Sequence, residues 1–362
     1  NVHYLNIILL FGQINCSKNE QYMLFKIMLD NKTILITGGT GSFGKAFVKY
    51  SLNKNNIEKI FVFSRDEMKQ WNMHKNFLNH SKKISYVIGD VRDYERINSV
   101  IRDNKINFII HAAATKIVLS AELNPEECIK TNINGAMNVI EAAKTNKVKK
   151  VIALSTDKAS SPINLYGSTK LASDKLFISA NSNFKGSTTF SVVRYGNVMG
   201  SRGSVIPYFL SLSNNQRPPI TDLKMTRFMI SIKDAISLVF KAMDKSVGGE
   251  VFVKKSPSMR IVDLAKAINY RAKPKITGIR PGEKLHEQMI GIDESNYTYE
   301  FKDYFIIIPA IFDKKKYTRI LKNSNKVKSN FVYSSDFNTR WLTKNKFKKW
   351  LTDYLKNQDN LN

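Results

Sequence analysis

Apolar residues in this chain fall first into short unbroken runs and only later into amphipathic stretches, an order that predicts an α/β protein. The runs at 33–36, 60–63, 86–88, 108–110, 151–154 and 191–193 are rich in Ile, Val and Phe and bounded by polar or turn residues. They are too short for buried helices and lack polar alternation, so they read as parallel strands covered on both faces. Helical periodicity fills the gaps, most clearly over 132–145 and 166–179. Alternating strands and helices predict a doubly wound parallel sheet of the Rossmann kind.

Beyond residue 198 the regularity weakens. The segments 200–205 and 214–221 are rich in Gly, Pro, Ser and Asn and read as loops. Residues 229–243 read as helix, 250–253 as strand, 261–268 as an amphipathic helix, 280–284 as a charged loop and 331–355 as an aromatic, basic end. The expected organisation is a leader at 1–27 and a Rossmann domain at 28–198, to which 228–254 returns. A smaller mixed α/β C-terminal substrate domain, made of 199–227 and 255–362, would close over the strand ends. The leader's apolar run, 7–11, is far below the ~20 residues of a membrane span and has no basic segment before it. Met28 stands directly before the first strand and is the expected native start; the alternative is an ordinary N-terminal element docked on the body.

Composition changes this picture little. A chain of 362 residues with 43% hydrophobic content can bury a large core. The formal charge of +27, from 57 Lys and Arg against 30 Asp and Glu, would suit nucleic acid, a membrane surface or a polyphosphorylated ligand. The lysines are scattered among Asn and Ile, however, and cluster only at 314–316 and 344–349, with no basic-aromatic stripe. A solvated lysine surface is expected, with neither nucleic acid nor membrane as partner. Cys16 and Cys128 cannot form a disulfide framework, and His3, His74, His80, His111 and His286 show no metal-ligand spacing. A cytoplasmic protein without a metal is expected.

The candidate chemistry begins at the first strand. Gly38, Gly41 and Gly44 follow it and open a helix, and with Thr40, Ser42 and Phe43 they form a turn whose amides and helix dipole suit a pyrophosphate. The second strand ends in Ser64 and Arg65, with Lys69 one helical turn on. Cations where an acid would bind the ribose of NAD favour the 2′-phosphate of NADP, while adjacent Asp66 and Glu67 keep NAD as the alternative. Asp90 and Val91 follow the third strand; Asp90 either reaches the adenine edge or caps the next helix. Tyr166 and Lys170, four apart, share one helix face, where an ammonium favours phenolate. Thr156, Asp157 and Lys158 stand just upstream.

The spacing of Tyr166 and Lys170, with Thr156 upstream and the glycine turn, resembles the extended short-chain dehydrogenase/reductase family. That resemblance implies that the tyrosine exchanges the substrate hydroxyl proton during hydride transfer and that the lysine holds the nicotinamide ribose. Asp157-Lys158 narrows the reaction, since loss of water from a 4-keto sugar needs a base at C5 and an acid at the C6 oxygen. Retaining sugar 4,6-dehydratases are similar here but carry Asp-Glu, and epimerases carry small residues. A lysine base must be neutral, which desolvation and the nicotinamide charge would favour; the alternative is an exposed, salt-bridged Asp-Lys pair.

From about residue 28 to 342 the chain resembles the inverting UDP-N-acetylglucosamine 4,6-dehydratases of pseudaminic acid biosynthesis, most specifically in TGGTGSFGKAFV, FSRDEMKQ, GDVRD, HAAATK, ALSTDKASSPINLYGSTKLASDKLF, SVVRYGNVMGSRGSV and IRPGEKLHE. The resemblance implies tightly held NADP, contacts to it from Ala112 and Ala113, a UDP-N-acetylglucosamine substrate and assembly into homo-oligomers. It also implies that Lys116, Asn197, Arg227, Arg280 and Glu283 line the UDP-sugar pocket. Arginines there would chelate the diphosphate and the carboxylate would bind ribose hydroxyls, although Arg227 could be a surface cation and Asn197 a turn cap. Ile117, Leu119 and Met229 depart from the family pattern of His, Pro and Trp and would remove polar or aromatic groups from the pocket. A UDP-sugar 4-epimerase and a non-catalytic nucleotide-sugar or NADP sensor are the competing functions.

Overall fold

Six parallel strands, β1 (Thr33–Thr37), β2 (Lys59–Ser64), β3 (Ile84–Ile88), β4 (Phe108–His111), β5 (Lys150–Thr156) and β6 (Thr189–Tyr195), lie in the spatial order β3-β2-β1-β4-β5-β6. This is the doubly wound order, and its direction of winding reverses between β1 and β4. In this computed structural model, residues 29–54, 56–181, 188–213, 216–268 and 273–359 are described. The leader, Met28, His3 and Cys16 lie outside the described residues.

The unbroken apolar runs are explained by burial on both faces. In β1, Leu35 packs with Phe61, Phe63, Ile109 and Val139 on one side of the sheet. Its neighbours Ile34 and Ile36 pack with Phe47, Val62, Ile110 and Phe240 on the other. Side chains alternate across a strand, so two helical layers require apolar residues at every position. Each fully buried Phe or Ile contributes roughly 1.5–3 kcal/mol.

The sheet takes in more of the C-terminal region than the sequence reading assigned to it. Val251–Lys254 adds parallel to β6, and Tyr304–Ile307 then pairs antiparallel with it. Thr298–Glu300 and Asn325–Lys326 complete ten strands, so residues after 254 re-enter the sheet rather than forming a wholly separate unit. The expected helix at 229–243 is also corrected. Thr226–Ile230 is a strand, and the helix is Ile232–Lys245, started where the Ser231 hydroxyl accepts from Asp234 N at 3.1 Å. The smaller lobe has its own apolar cluster, including Ile206, Phe209, Met225, Met259, Leu264 and Phe347.

Arg194 at the end of β6 is 1% exposed and joins three elements. It donates to Glu294 at 2.8 and 3.0 Å and to the Met289 carbonyl at 2.8 Å, and lies 3.7 Å from Asp174. Asp174, on the helix Leu165–Ser179, accepts from the Ser155 hydroxyl at 2.6 Å. That helix is thereby fixed to β5, to β6 and to the C-terminal region.

His111, at the end of β4, is buried beneath this helix with Nδ1 2.9 Å from the Thr37 hydroxyl. Burial, followed by the charge of Lys170, pushes it down to about 3 from 6.5. Between those values the unfolded chain binds a proton that the folded chain refuses, so stability falls as pH drops through that window. From about pH 6.5 to about pH 5 the native protein should lose on the order of 2 kcal/mol more than His111→Gln, read from urea unfolding at each pH.

Candidate active site

The strand ends of the sheet open into one cleft, lined by all of the residues that the sequence nominated for catalysis, cofactor and substrate. Its first wall is the turn after β1. Gly38 has φ +65°, and a Cβ there would lie 2.8 Å from Ala113 N and 2.9 Å from the Ala112 carbonyl carbon. The turn can therefore approach the end of β4 only as glycine. Gly41, Ser42 and Gly44 carry it into the helix Ser42–Lys54, whose first residues line the cleft with Thr40 and Phe43 among them. A glycine turn opening a helix where the strand order reverses has the form of a dinucleotide cradle.

At the end of β2, Ser64 is fixed by Gln70, whose Nε2 donates to its carbonyl and hydroxyl at 3.0 and 3.1 Å. Asp66 caps the helix Glu67–Asn76, accepts from Lys69 N at 2.9 Å and ion-pairs with the Lys69 ammonium. Hydrogen bonds from Lys69 hold its carboxyl below the ordinary value. The acid next to Arg65 is thus committed to its own helix, whereas the Arg65 side chain is 60% exposed at the cleft. Asp90 does not cap the next helix, which is capped by Asp93. Asp90 accepts instead from Arg92 N at 3.0 Å and Nε at 2.8 Å, with Arg65 3.6 Å away. Burial pushes the Asp90 carboxyl up, but these cations outweigh it and hold it down.

The catalytic candidates converge from two elements. The Thr156 hydroxyl donates to Asp157 Oδ1 at 3.0 Å, and Lys158 Nζ lies 3.1 Å from that oxygen. The helix Leu165–Ser179 starts where Asn164 Oδ1 accepts from Gly167 N at 2.7 Å, bringing Tyr166 and Lys170 to the same cleft. Burial pushes the Tyr166 phenol up to about 12, opposed chiefly by the charge of Lys158 and a hydrogen bond with Thr156. The opposing cation is thus Lys158 rather than the Lys170 that helical spacing suggested. Burial lowers Lys170, with Asp174 opposing.

Lys158 departs from expectation more sharply. Burial favours a neutral amine, but Asp157 and Glu287 together overcome it and hold the ammonium charged. Nor is the Asp-Lys pair exposed, for the side chains are 1% and 20% accessible. Glu287, missed in the sequence, lies 3.0 Å from Lys158 Nζ and is 2% exposed. It was present in the stretch IRPGEKLHE, but no spacing rule connects it to Lys158 over 129 positions of chain, from 158 to 287.

Of the substrate candidates, Arg227 is buried, not a surface cation. It donates to the carbonyls of Thr226, Lys284 and Leu285 at 2.7–3.0 Å and lies 3.6 Å from both Glu283 and Glu287. Arg280 pairs with Glu283 at 2.9 and 3.1 Å, and Thr221 donates to the same carboxylate at 3.0 Å. Lys116 donates to the Arg202 carbonyl at 2.9 Å, and Asn197 lies in a two-residue strand beside Met229. Ile117 and Leu119 are exposed at the cleft, but Met229 is buried in the apolar cluster of the smaller lobe, so it changes packing rather than the pocket lining. Among the described residues, no group of three or more His, Cys, Asp or Glu is placed to hold a metal, and no helix is long and apolar enough to cross a membrane.

The dinucleotide cradle, the doubly wound sheet and the Tyr-Lys helix beside them define an extended short-chain dehydrogenase/reductase. The chain belongs to the polysaccharide biosynthesis protein family, whose model matches residues 34–309. A relative from Campylobacter jejuni named UDP-N-acetylglucosamine 4,6-dehydratase (inverting) is 52% identical over 87% of this chain and 96% of its own length. A Rickettsia bellii protein named UDP-glucose 4-epimerase is 45% identical over 77% of this chain and 84% of its own. The X-ray structure of Pen from Bacillus thuringiensis matches with TM-score 0.81 at 37% identity, covering 90% of this chain and 99% of that one.

Gly38→Ala should cost about 1–3 kcal/mol from the clash with the Ala112-Ala113 backbone, measured by urea unfolding. It should also weaken nicotinamide dinucleotide binding at least ~10-fold by isothermal titration, because the turn must retreat from the pyrophosphate position.

Proposed function

We propose that the protein is an NADP-dependent, inverting UDP-N-acetylglucosamine 4,6-dehydratase that makes a UDP-4-keto-6-deoxy sugar for pseudaminic acid biosynthesis. The observation that carries this reading is the buried Asp157-Lys158 pair beside Tyr166 in a cleft that also holds a dinucleotide cradle. A 4-epimerase needs only the tyrosine and the cofactor; a dehydratase also needs an acid and a base at C6 and C5. The 52% identity to a relative named for this reaction supports it. Tyr166, where related capsule enzymes have methionine, favours the pseudaminic acid branch. By the same likeness the enzyme acts in the cytoplasm as a homo-oligomer.

When bound, NADP supplies a hydride acceptor that later returns the hydride. Gly38, Thr40, Gly41, Ser42, Phe43 and Gly44 would hold its pyrophosphate, Ser64, Arg65 and Lys69 would receive its 2′-phosphate, and Asp90, Val91, Ala112 and Ala113 would flank the rest, all of them lining the cleft. The committed cap of Asp66 and the exposed guanidinium of Arg65 fit a phosphate better than two free ribose hydroxyls. Lys170 would orient the nicotinamide ribose, and Tyr166 would take the C4 hydroxyl proton as phenolate, a form that the charge of Lys158 favours against burial. Thr156 orients the sugar. Lys158 removes the C5 proton, and Asp157 protonates the departing C6 hydroxyl. Burial pushes the Asp157 carboxyl up, the direction an acid requires. Lys116, Asn197, Arg227, Arg280 and Glu283 receive the UDP moiety, with Arg227 fixed by carbonyls and therefore pre-oriented.

The Rickettsia relatives named as epimerases favour a second reading, a UDP-sugar 4-epimerase. Incubation with UDP-N-acetylglucosamine and NMR of the product separates the two. A 4-keto-6-deoxy product inverted at C5 is expected; a product retaining its C6 hydroxyl means epimerase, and no turnover with intact binding means a sensor. Lys158→Ala should lower dehydration at least ~100-fold while UDP binding stays within ~3-fold. Arg65→Ala should reduce the preference for NADP over NAD at least ~10-fold, since one charge-assisted contact to phosphate is lost.

A further inference from the structure

Residues 199–205 leave the smaller lobe and come back to it. Met199 and Val205 both pack against the apolar cluster of that lobe, and between them the chain reaches across the cleft to the glycine turn after β1. The excursion is fastened at three points. Tyr354, on the helix Lys344–Asp359, donates its hydroxyl to the Gly200 carbonyl at 3.1 Å, and its ring is so close that a Cβ on Gly200 would lie 2.4 Å from it. At the tip, Arg202 N donates to the Ser42 hydroxyl at 3.0 Å, and the Arg202 carbonyl accepts from Lys116 Nζ at 2.9 Å. Gly200 and Gly203, on either side of Arg202, have φ of +73° and +75°, so the bend that carries the tip suits glycine at both positions.

Both fastenings of Arg202 use its backbone, and its side chain is left to the cleft. Arg202 is exposed there and lines the cleft with Arg65, Lys69 and Lys116. Among the described residues, no carboxylate forms an ion pair with Arg202, Lys45 or Lys116. These cations nevertheless act on one another: enclosure, and after it the charge of Arg202, lowers both Lys45 and Lys116. The same charge reaches Asp66, whose carboxyl Lys69 already holds through the helix cap. The guanidinium therefore belongs to the part of the cleft between the helix Ser42–Lys54 and the end of β2. Like charges gathered without a counter-charge are costly, and an anion placed among them removes that cost. A solvated surface arginine needs no tyrosine, serine and lysine to hold it over a glycine turn.

We infer that residues 199–204 form a strap over the dinucleotide cradle and that Arg202 is a further phosphate-binding residue, supplied to the cofactor by the smaller lobe. This rests on the cofactor part of the reading above and not on the sugar or the reaction. The group bound is a phosphate of the dinucleotide, either the 2′-phosphate or the pyrophosphate, and a guanidinium suits both. A strap fastened to Ser42 at one end and to Tyr354 at the other has to lift before the dinucleotide can leave. Retention of the cofactor through turnover then depends on the smaller lobe as well as on the glycine turn.

The test compares the full chain with Arg202→Gln, which removes the guanidinium and leaves the backbone contacts to Ser42 and Lys116 in place; thermal unfolding of the two cofactor-free proteins should agree. By isothermal titration Arg202→Gln should bind NADP at least ~10-fold more weakly and UDP within ~3-fold of native, and NADPH should leave it at least ~10-fold faster in stopped-flow displacement. Arg202→Lys, which keeps the charge, should recover part of both losses. A larger loss for NADP than for NAD assigns the 2′-phosphate, and an equal loss assigns the pyrophosphate. In the native protein NADP should also slow hydrogen exchange at the amides of 199–204 at least ~3-fold. An Arg202→Gln protein that holds NADP within ~3-fold of native, a loss as large for UDP as for NADP, or exchange at 199–204 that NADP leaves unchanged overturns the inference. If the native protein binds neither NADP nor NAD, the cofactor reading itself fails and the role of Arg202 falls with it. If the native protein binds NADP and Arg202→Gln binds it equally well, only the role of Arg202 is lost.

Discussion

A charge removed from water has to meet an opposite charge, and in this protein that requirement joins the nucleotide-binding sheet to the chain that follows it. Arg194 in β6 is fully enclosed and can remain so only because Glu294 and Asp174 approach it from the C-terminal region and from the Tyr166 helix. Lys158 at the end of β5 is held in the same manner by Asp157 and by Glu287. Loss of one member of such a cluster leaves an uncompensated charge, typically at a cost of about 3–5 kcal/mol. The C-terminal region is therefore not free to drift over the strand ends. Its position is set by where the two buried cations sit.

That constraint reaches the chemistry through short links. Asp174 receives the Ser155 hydroxyl and faces Arg194, so it fixes the helix that presents Tyr166 and Lys170 relative to the strand that presents Thr156. Gly167 lets the start of that helix lie against the Lys158 carbonyl, a contact that a Cβ would block. Arg227 is pulled inward by three carbonyls and stands between Glu283, which Arg280 and Thr221 hold, and Glu287, which touches Lys158. A ligand anion arriving at Arg227 would thus act on the same carboxylate that governs the lysine. Arg227 and Lys158 share one electrostatic network through Glu287.

How much of this was legible in the sequence depended on whether a residue's role is local. The strands were readable because burial on both faces leaves unbroken apolar runs such as 108–110 and 151–154. The glycine cradle and the Tyr166-Lys170 helix were readable because both are short motifs whose spacing matters physically. Helix 229–243 was misread at its start because Met229 and Ile230 are apolar in a strand as they would be in a helix. The continuation of the sheet after residue 254 was missed because two- to four-residue strands such as Tyr304–Ile307 carry little periodicity. Glu287 was invisible for a different reason: its partner is 129 positions away in sequence, from 158 to 287, and only the fold brings them to 3.0 Å. Lys158 is held charged by Asp157 first and Glu287 second, and of the two only Asp157 stood beside it in the sequence.

The same contact bears on stereochemistry. A carboxylate base receives a proton on one oxygen and, with no other basic group near, tends to return it to the face it came from. An ammonium mixes a captured proton with two others, and a neighbouring carboxylate gives any of the three a way out. If Lys158 is the C5 base, its contact with Glu287 lets the proton taken exchange before one is returned, which alters the isotope delivered but not the face. Inversion requires a separate donor on the other face of the ring. Held between two buried carboxylates, the lysine at this position carries a positive charge where a glutamate would carry a negative one.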